Sequence, residues 1–511
     1  MSWFCRILLI PGFFWILSGS VAQAQSTPAN TVNIQAAFEF SSLDPTRSGY
    51  IFTRMQVLET LFNVDETGRL IPGLAAEWSQ RESNRIWDIQ LQEGVIFHDG
   101  TPMTAGVVAE NLNLARTRPG ALQGVPVERI EAVGERDLRI TLTEPYRPLG
   151  GVLANYSTAI LAPGAYDDEG SVKALIGTGP FKVHEVAVPH RLVVQRFQDY
   201  WDKVAEVEYA RYLTGHRAEA RVLQARSGQG DLVFGLDPAA VPMLERLPNL
   251  QVVRSELPRT LALKLNLAHP YLSDGDARQA LSLAINRSGI ATAILRTPGA
   301  GTTQLFPAYM GAWHLDTDEA GFNLARAEAL MAGLGWEKNA EGWLEKNGDR
   351  FELDLITYAD RPELTTVATA VQDQWRRLGV KLNVNITNSS SIPAGHQDGS
   401  LEVALIARNY GTIADPLAIM IRDFGSEKGG DWGSMNWSNP TIQATLNSMI
   451  RESDDAIYRQ QAQAVAQSIY DEKPLIPVAS YVQQTSVSRR LTGFRFDPYE
   501  RSFFLNELAW K

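Results

Sequence analysis

The stretch VATAVQDQWRRLGVKLNVNI, residues 367–386, decides the fold class. Val367, Val371, Trp375 and Leu378 recur with the period of one helical face, and Gly379 follows as a stop. Val380, Leu382, Val384 and Ile386 then alternate with polar residues, as on a strand with one buried face. Helix, glycine and strand in succession are the unit of an α/β chain. Working outward, Ala277, Ala280, Leu281, Ala284 and Ile285 predict a second amphipathic helix starting near Asp276. Ser83 to Gly100 reads as paired strands, with Ile86, Asp88 and Gln90 alternating around Trp87 and Ile89 and a tight turn at Asp99-Gly100. Thr104 is placed to cap a helix carrying Val108, Leu112 and Ala115. Turn-rich joints fall at Gly177-Thr178-Gly179-Pro180, at Ser227-Gly228-Gln229-Gly230 and at Leu257-Pro258. The last is the expected boundary between two lobes, because the alternating run Leu261, Leu263, Leu265 begins just after it.

The N-terminus carries an apolar run, Ile7 to Leu17, behind Arg6 and ahead of the small-residue site Ala22-Gln23-Ala24. That layout predicts a cleaved secretory signal over residues 1–24 and export to the periplasm. Cys5, the single cysteine, leaves with it, so the mature chain relies on neither disulfide nor lipid-anchoring thiol. With 44% hydrophobic residues in a 511-residue chain, a large core replaces such staples. Loss of Arg6 takes the formal net charge from −11 to −12, which argues against a nucleic-acid partner.

Several short motifs follow one another in a specific order. They are Leu43-Asp44-Pro45, Leu70-Ile71-Pro72-Gly73-Leu74-Ala75 with Trp78, Phe97-His98-Asp99-Gly100-Thr101-Pro102, Gly177-Thr178-Gly179-Pro180-Phe181 and Tyr200-Trp201. Asp276-Ala277-Arg278-Gln279-Ala280, Ala284-Ile285-Asn286-Arg287 and Asn439-Pro440 continue the series. In this order the chain resembles family 5 of the extracytoplasmic solute-binding proteins, the peptide, nickel and opine binders of ATP-driven importers, nearest their nickel-chelate and metallophore branch. The resemblance implies an α/β, two-lobed periplasmic-binding-protein fold, class II-like, with a hinge. Lobe I would span 25–258, with an extra subdomain at about 65–180, and regain 481–511; lobe II would span 259–480. It implies a monomer that captures a small solute between its lobes and delivers it to an inner-membrane ABC permease with a cytoplasmic ATPase. A ligand-presenting partner of a chemoreceptor would share every one of these features.

The segment Ala407 to Pro416 bears on the solute. Dipeptide-binding relatives place an aspartate after its glycine to hold the ligand's ammonium group. Here Thr412 follows Gly411, and a neutral hydroxyl cannot supply that charge-assisted bond. Nickel-chelate and opine-type binders show instead an arginine three residues before this glycine and an aromatic just before it, which Arg408 and Tyr410 match. A guanidinium pairs with a carboxylate through two parallel hydrogen bonds, so the resemblance points to a metal chelate or opine-type metallophore, with oligopeptides and dipeptides as the alternative. An ion pair for Arg408 and a packed ring for Tyr410 would suit the same residues. Further candidates are Arg47 and Tyr50 in the early loop, Arg116 and Arg118 after the Thr104 helix, and Arg259 at the hinge entrance. Where nickel-chelate binders carry arginine before the Ala162-Pro163 pair, this chain offers only Tyr156, which weakens the match.

The histidines, His98, His184, His190, His216, His269, His314 and His396, are scattered without an i, i+4 pair. No site for a bare metal ion is expected, and no cofactor. Gly-x-Ser-x-Gly, His-Glu-x-x-His and phosphate-loop motifs are absent from the sequence, so the chain does not read as an enzyme.

Overall fold

A computed structural model describes Pro28, residues 30–316 and residues 321–511; the leader expected at 1–24 lies outside them. Ten strands form one sheet: β1 (Thr31–Ala36), β2 (Phe181–Ala187), β3 (Arg191–Arg196), β4 (Tyr209–Thr214), β5 (Leu232–Val233), β6 (Leu250–Leu265), β7 (Glu352–Tyr358), β8 (Lys381–Thr387), β9 (Val403–Asn409) and β10 (Leu475–Ser488). Their order is β8-β7-β9-β6-β10-β5-β1-β4-β3-β2. The long strands β6 and β10 run antiparallel to each other along most of their length. At one end the sheet continues through β5 and β1, and at the other through β9 and β7.

Pro258 lies inside β6. It has no N–H to give the ladder, and the β6–β10 register is broken between Glu256 and Thr260. Beyond the break Leu261, Leu263 and Leu265 are buried as the alternation predicts, but so are Ala262 and Lys264. This is a central strand covered on both faces, not a half-buried one. Lys264 tolerates burial because its ammonium donates to the carbonyls of Gly430 and Gly433; desolvation pulls its pKa down to about 7.

Buried apolar side chains gather in separate clusters. The largest draws only on residues between Leu261 and Ala479. A second surrounds an antiparallel sheet of Ala75–Arg81, Ile86–Leu91, Asp137–Leu142 and Val127–Ala132. A third joins β1 to the C-terminal Phe503, Leu505 and Leu508. The molecule is thus two-lobed, the first lobe carrying a satellite sheet.

Helices α1 (Pro45–Arg54), α2 (Ala105–Ala115), α3 (Gly275–Leu283), α4 (Pro362–Leu378) and α5 (Leu417–Phe424) cover these sheets. Asp44 caps α1, Thr104 caps α2 and Asp274 caps α3, each accepting from a backbone N–H of the first turn. Val367, Val371, Trp375 and Leu378 on α4 are fully buried, and Gly379 ends the helix at φ 105°, a left-handed conformation that glycine adopts without strain. Ile386, expected inward, is 55% exposed where β8 runs out past the core. The strand Ile86–Leu91 pairs with its neighbours on both sides, while Asp99-Gly100 closes only an isolated bridge, Ile96 to Pro102.

Two of the ordered motifs, Gly177 to Phe181 and Tyr200-Trp201, meet at Glu59. Its carboxylate accepts hydrogen bonds from Thr178 (2.8 Å), Tyr200 (2.8 Å) and Trp201 (3.1 Å). Burial pushes the carboxyl up to about 7 against those bonds. Gly177 and Gly179 run against the carbonyls of Val57 and Gln56, where a Cβ would collide. These motifs tie the chain after α1 to the chain before β2 and after β3.

Candidate functional site

The lobes meet over a cavity of about 50 Å³. Ala36, Ala37 and Phe38 at the end of β1 and Arg54 at the end of α1 form its first-lobe wall, and Arg361, Pro362 and Glu363 at the start of α4 form the opposite one. Arg259 of β6 and Tyr481 of β10 lie between, on either side of the strand break. Glu500, from the C-terminal loop, is the local anchor. It pairs with Arg259 and Arg54. Burial alone would raise the Glu500 carboxyl, but Arg259, Arg54 and Arg361 outweigh it and hold the group below the usual range.

Arg361 is less fully engaged. Its guanidinium donates one hydrogen bond, to the Tyr481 hydroxyl at 3.1 Å, and lies near the rings of Tyr481 (5.2 Å) and Phe38 (5.9 Å). Desolvation opposes its charge, yet Tyr481 and Glu363 raise its pKa overall. Arg259 Nε and Glu363 Oε1, both buried, have no hydrogen-bond partner among the described residues. Buried polar atoms left open on the wall of a cavity are what an incoming polar ligand would satisfy. By contrast Arg221, on the same wall, spends its donors on the carbonyls of Gly215, His216 and Gly235 and is scaffold.

Small-molecule sites usually enclose about 300–1,000 Å³, several times the space between the lobes. Contacts across the cleft hold them together here. Asn155 donates to the Thr412 carbonyl at 2.8 Å, and Arg451 pairs with Glu144. Arg147 donates to Asp455 at 2.6 Å and lies 3.8 Å from the centre of the Tyr458 ring. A larger cavity of about 890 Å³ lies wholly on the first-lobe side, between α1, residues 63–73 and the C-terminal loop.

Of the residues singled out in the sequence, Arg259 lines the inter-lobe cavity. Arg408 does not: its Nε and Nη2 donate to both oxygens of buried Asp423, at 2.6 and 2.8 Å. Tyr410 is fully buried against Phe306, with ring centroids 4.8 Å apart, and burial pushes its phenol up. The ion pair and the packed ring therefore describe these two side chains in the folded chain. Thr412 is exposed and engages the other lobe through its backbone. Tyr50 and Tyr156 meet edge to face at 5.9 Å, with Tyr156 facing the larger cavity. Arg47 is exposed on α1, Arg116 donates to the Val127 carbonyl, and Arg118 pairs with Asp44 at 3.1 Å. Sequence reading missed Arg54, Arg361, Glu363, Tyr481 and Glu500; only a residue's place at an element's end, as for Arg361 before α4, offered a signal.

Two of the histidines scattered along the sequence come together in the fold. His190, between β2 and β3, and His216, after β4, converge on Glu39, with ring nitrogens 3.1 and 2.7 Å from its Oε1. Distance in sequence concealed a neighbourhood made by strand pairing.

Among the described residues, no helix is long and apolar enough to cross a membrane. A profile of the bacterial extracellular solute-binding proteins, family 5, matches residues 69–431. The nickel-binding periplasmic protein of Escherichia coli (strain K12) is 24% identical over 469 residues, covering 87% of each chain. The glutathione-binding protein GsiB of Salmonella typhimurium is 22% identical over 518 residues, covering 94% of this chain and 95% of its own. Among solved structures, NikA from Brucella suis in complex with Fe(III)-EDTA superposes with a TM-score of 0.85 at 20% identity, over 94% of this chain and all of that one, a likeness of fold. The chain belongs to the family 5 bacterial extracellular solute-binding proteins, the non-enzymatic substrate-binding components of ABC importers.

Proposed function

We propose that this protein captures a small amino-acid-derived carboxylate solute, a nickel or other metal chelate or an opine-type metallophore, for import. The observation that carries this reading is Arg361, whose guanidinium makes a single hydrogen bond among the described residues and lines the same cavity as Arg259 and Glu500. A carboxylate entering there would take two parallel hydrogen bonds from Arg361. The nickel-binding and Fe(III)-EDTA-bound relatives supply the analogy for a chelate.

In this reading the monomer is exported by loss of residues 1–24. Residues 25–258 with 481–511 close on 259–480 about the break at Pro258, and the closed form engages the inner-membrane permease and its ATPase. Peptides are the second reading, favoured by the open Oε1 of Glu363, an acceptor suited to an ammonium group.

The test is native mass spectrometry of gently purified protein, followed by a thermal-shift panel of metal chelates, opines, dipeptides and glutathione. Chelates or opines are expected to stabilise the fold, by about 2.7 kcal/mol at a hundredfold excess over Kd. Arg361→Ala should weaken that binding about 10- to 100-fold. Stabilisation by dipeptides with none from chelates would replace this reading with the peptide one.

A further inference from the structure

His190, His216 and Glu39 stand apart from the inter-lobe cavity, on the exposed rim of the first lobe. Three chain segments deliver them. Glu39 follows β1, His190 sits in the turn between β2 and β3, and His216 follows β4. Backbone hydrogen bonds fasten the three together: Phe40 N–H donates to the Pro189 carbonyl (3.2 Å), Thr214 N–H to the His190 carbonyl (2.9 Å) and Gly215 N–H to the Ala36 carbonyl (2.8 Å). The Tyr212 hydroxyl adds a bond to the Phe38 carbonyl at 2.6 Å. The side chains therefore project from a fixed frame, although they are themselves 40–59% exposed.

Their donor atoms lie within 4.8 Å of one another. Glu39 Oε1 is 3.1 Å from His190 Nδ1 and 2.7 Å from His216 Nε2, and the imidazole centroids are 6.0 Å apart. Ligands of a tetrahedral ion with bonds of about 2.0–2.1 Å stand about 3.3 Å from each other, so small rotations of exposed side chains would seat one. We propose that His190 Nδ1, His216 Nε2 and a Glu39 carboxylate oxygen form a surface site for one late first-row divalent cation, Zn²⁺, Ni²⁺ or Cu²⁺, with water completing the shell. Two imidazoles and one carboxylate favour such ions over Mg²⁺ or Ca²⁺, which take oxygen ligands throughout. The site is open to solvent and needs no movement of the lobes.

The test uses the full mature chain without a polyhistidine tag, stripped with a chelator and titrated with Zn²⁺ by calorimetry. One Zn²⁺ per chain is expected, with binding weakened more than about tenfold by Glu39→Gln and lost in the double variant His190→Ala/His216→Ala. All three side chains are exposed, so the metal-free variants should match the wild-type circular dichroism and melting temperature. Arg361→Ala, which alters the cleft, should leave the Zn²⁺ titration unchanged. No uptake by the wild type, undiminished uptake by the double variant, or loss of uptake in Arg361→Ala would each overturn the assignment, whatever solute the cleft takes.

Discussion

Arg408 and Asp423 show how one side chain can satisfy a motif and yet serve the core. Asp423 is 1% exposed, and Arg408 meets it with two short hydrogen bonds. Removing Arg408 leaves buried Asp423 with the exposed Arg422, 3.6 Å away, as its remaining arginine partner, so Arg408→Ala should cost about 2–3 kcal/mol of stability, read by urea denaturation. An unchanged midpoint with weakened solute binding would return Arg408 to the ligand. Glu59 offers a pH signature. Its carboxyl titrates at about 7 when folded, against 4.5 in the unfolded chain. A raised acid favours the folded state while protonated, so its contribution is complete below about pH 4.5 and is lost as pH rises through 7. Glu59→Gln mimics the protonated form: its amide oxygen can accept from Thr178 and Trp201 while its NH₂ donates to the Tyr200 hydroxyl. The variant should lose less melting temperature than the wild type between pH 5 and 8; parallel slopes would refute the assignment. The sequence could identify Arg408 as an arginine three residues before a glycine, but not its aspartate. A guanidinium's partner is chosen by tertiary packing, and the same blindness hid Arg361, which has no motif around it.

Elements were more legible, because their causes are local. The helix–glycine–strand unit lies where its periodicity places it as far as Leu382, with Ile386 left exposed, since α4 buries one stripe and Gly379 accommodates the left-handed turn. What local pattern cannot report is how many sides an element will have covered. The strand after Pro258 reads as an alternating run because Lys264 interrupts its leucines, and partners far away in sequence, the carbonyls of Gly430 and Gly433 and the His396 ring, make that lysine compatible with the interior. The loop leaving β9 is held to β6 at the ladder break, with Tyr410 N–H donating to the Pro258 carbonyl at 2.7 Å. Gly411 passes so close that an added Cβ would strike the Pro258 ring. Gly411→Ala should therefore destabilise the chain by about 1–3 kcal/mol, visible as a lower melting temperature, while alanine at exposed Gly333, where an added Cβ meets no described atom within 4 Å, should be silent.

At the scale of the whole molecule, closure depends on groups that reach across the cleft. Arg147 is the most heavily engaged, with Asp455, Asp415, the Glu452 carbonyl and the Tyr458 ring all on the far side. Arg147→Ala should shift the population toward open forms, giving a larger radius of gyration by small-angle X-ray scattering and a weaker apparent affinity, since the closed state must then be restored from binding energy. Identical scattering from variant and wild type would show that the clamp is ornamental. Two lobes could be anticipated from ordered motifs, whereas the cast of the cleft could not, because it is drawn from α1, β6, α4, β10 and the C-terminal loop at once. The ladder at the break has one more implication. Thr260 on β6 lies directly opposite Ser480 on β10, so everything between them departs and comes back through a doorway one strand pair wide. Topologically the second lobe is a guest inserted into a host hairpin. Replacing residues 260–480 by a short turn joining Arg259 to Tyr481 should leave a host that folds by itself, just as a necklace closes again once a pendant is unclipped.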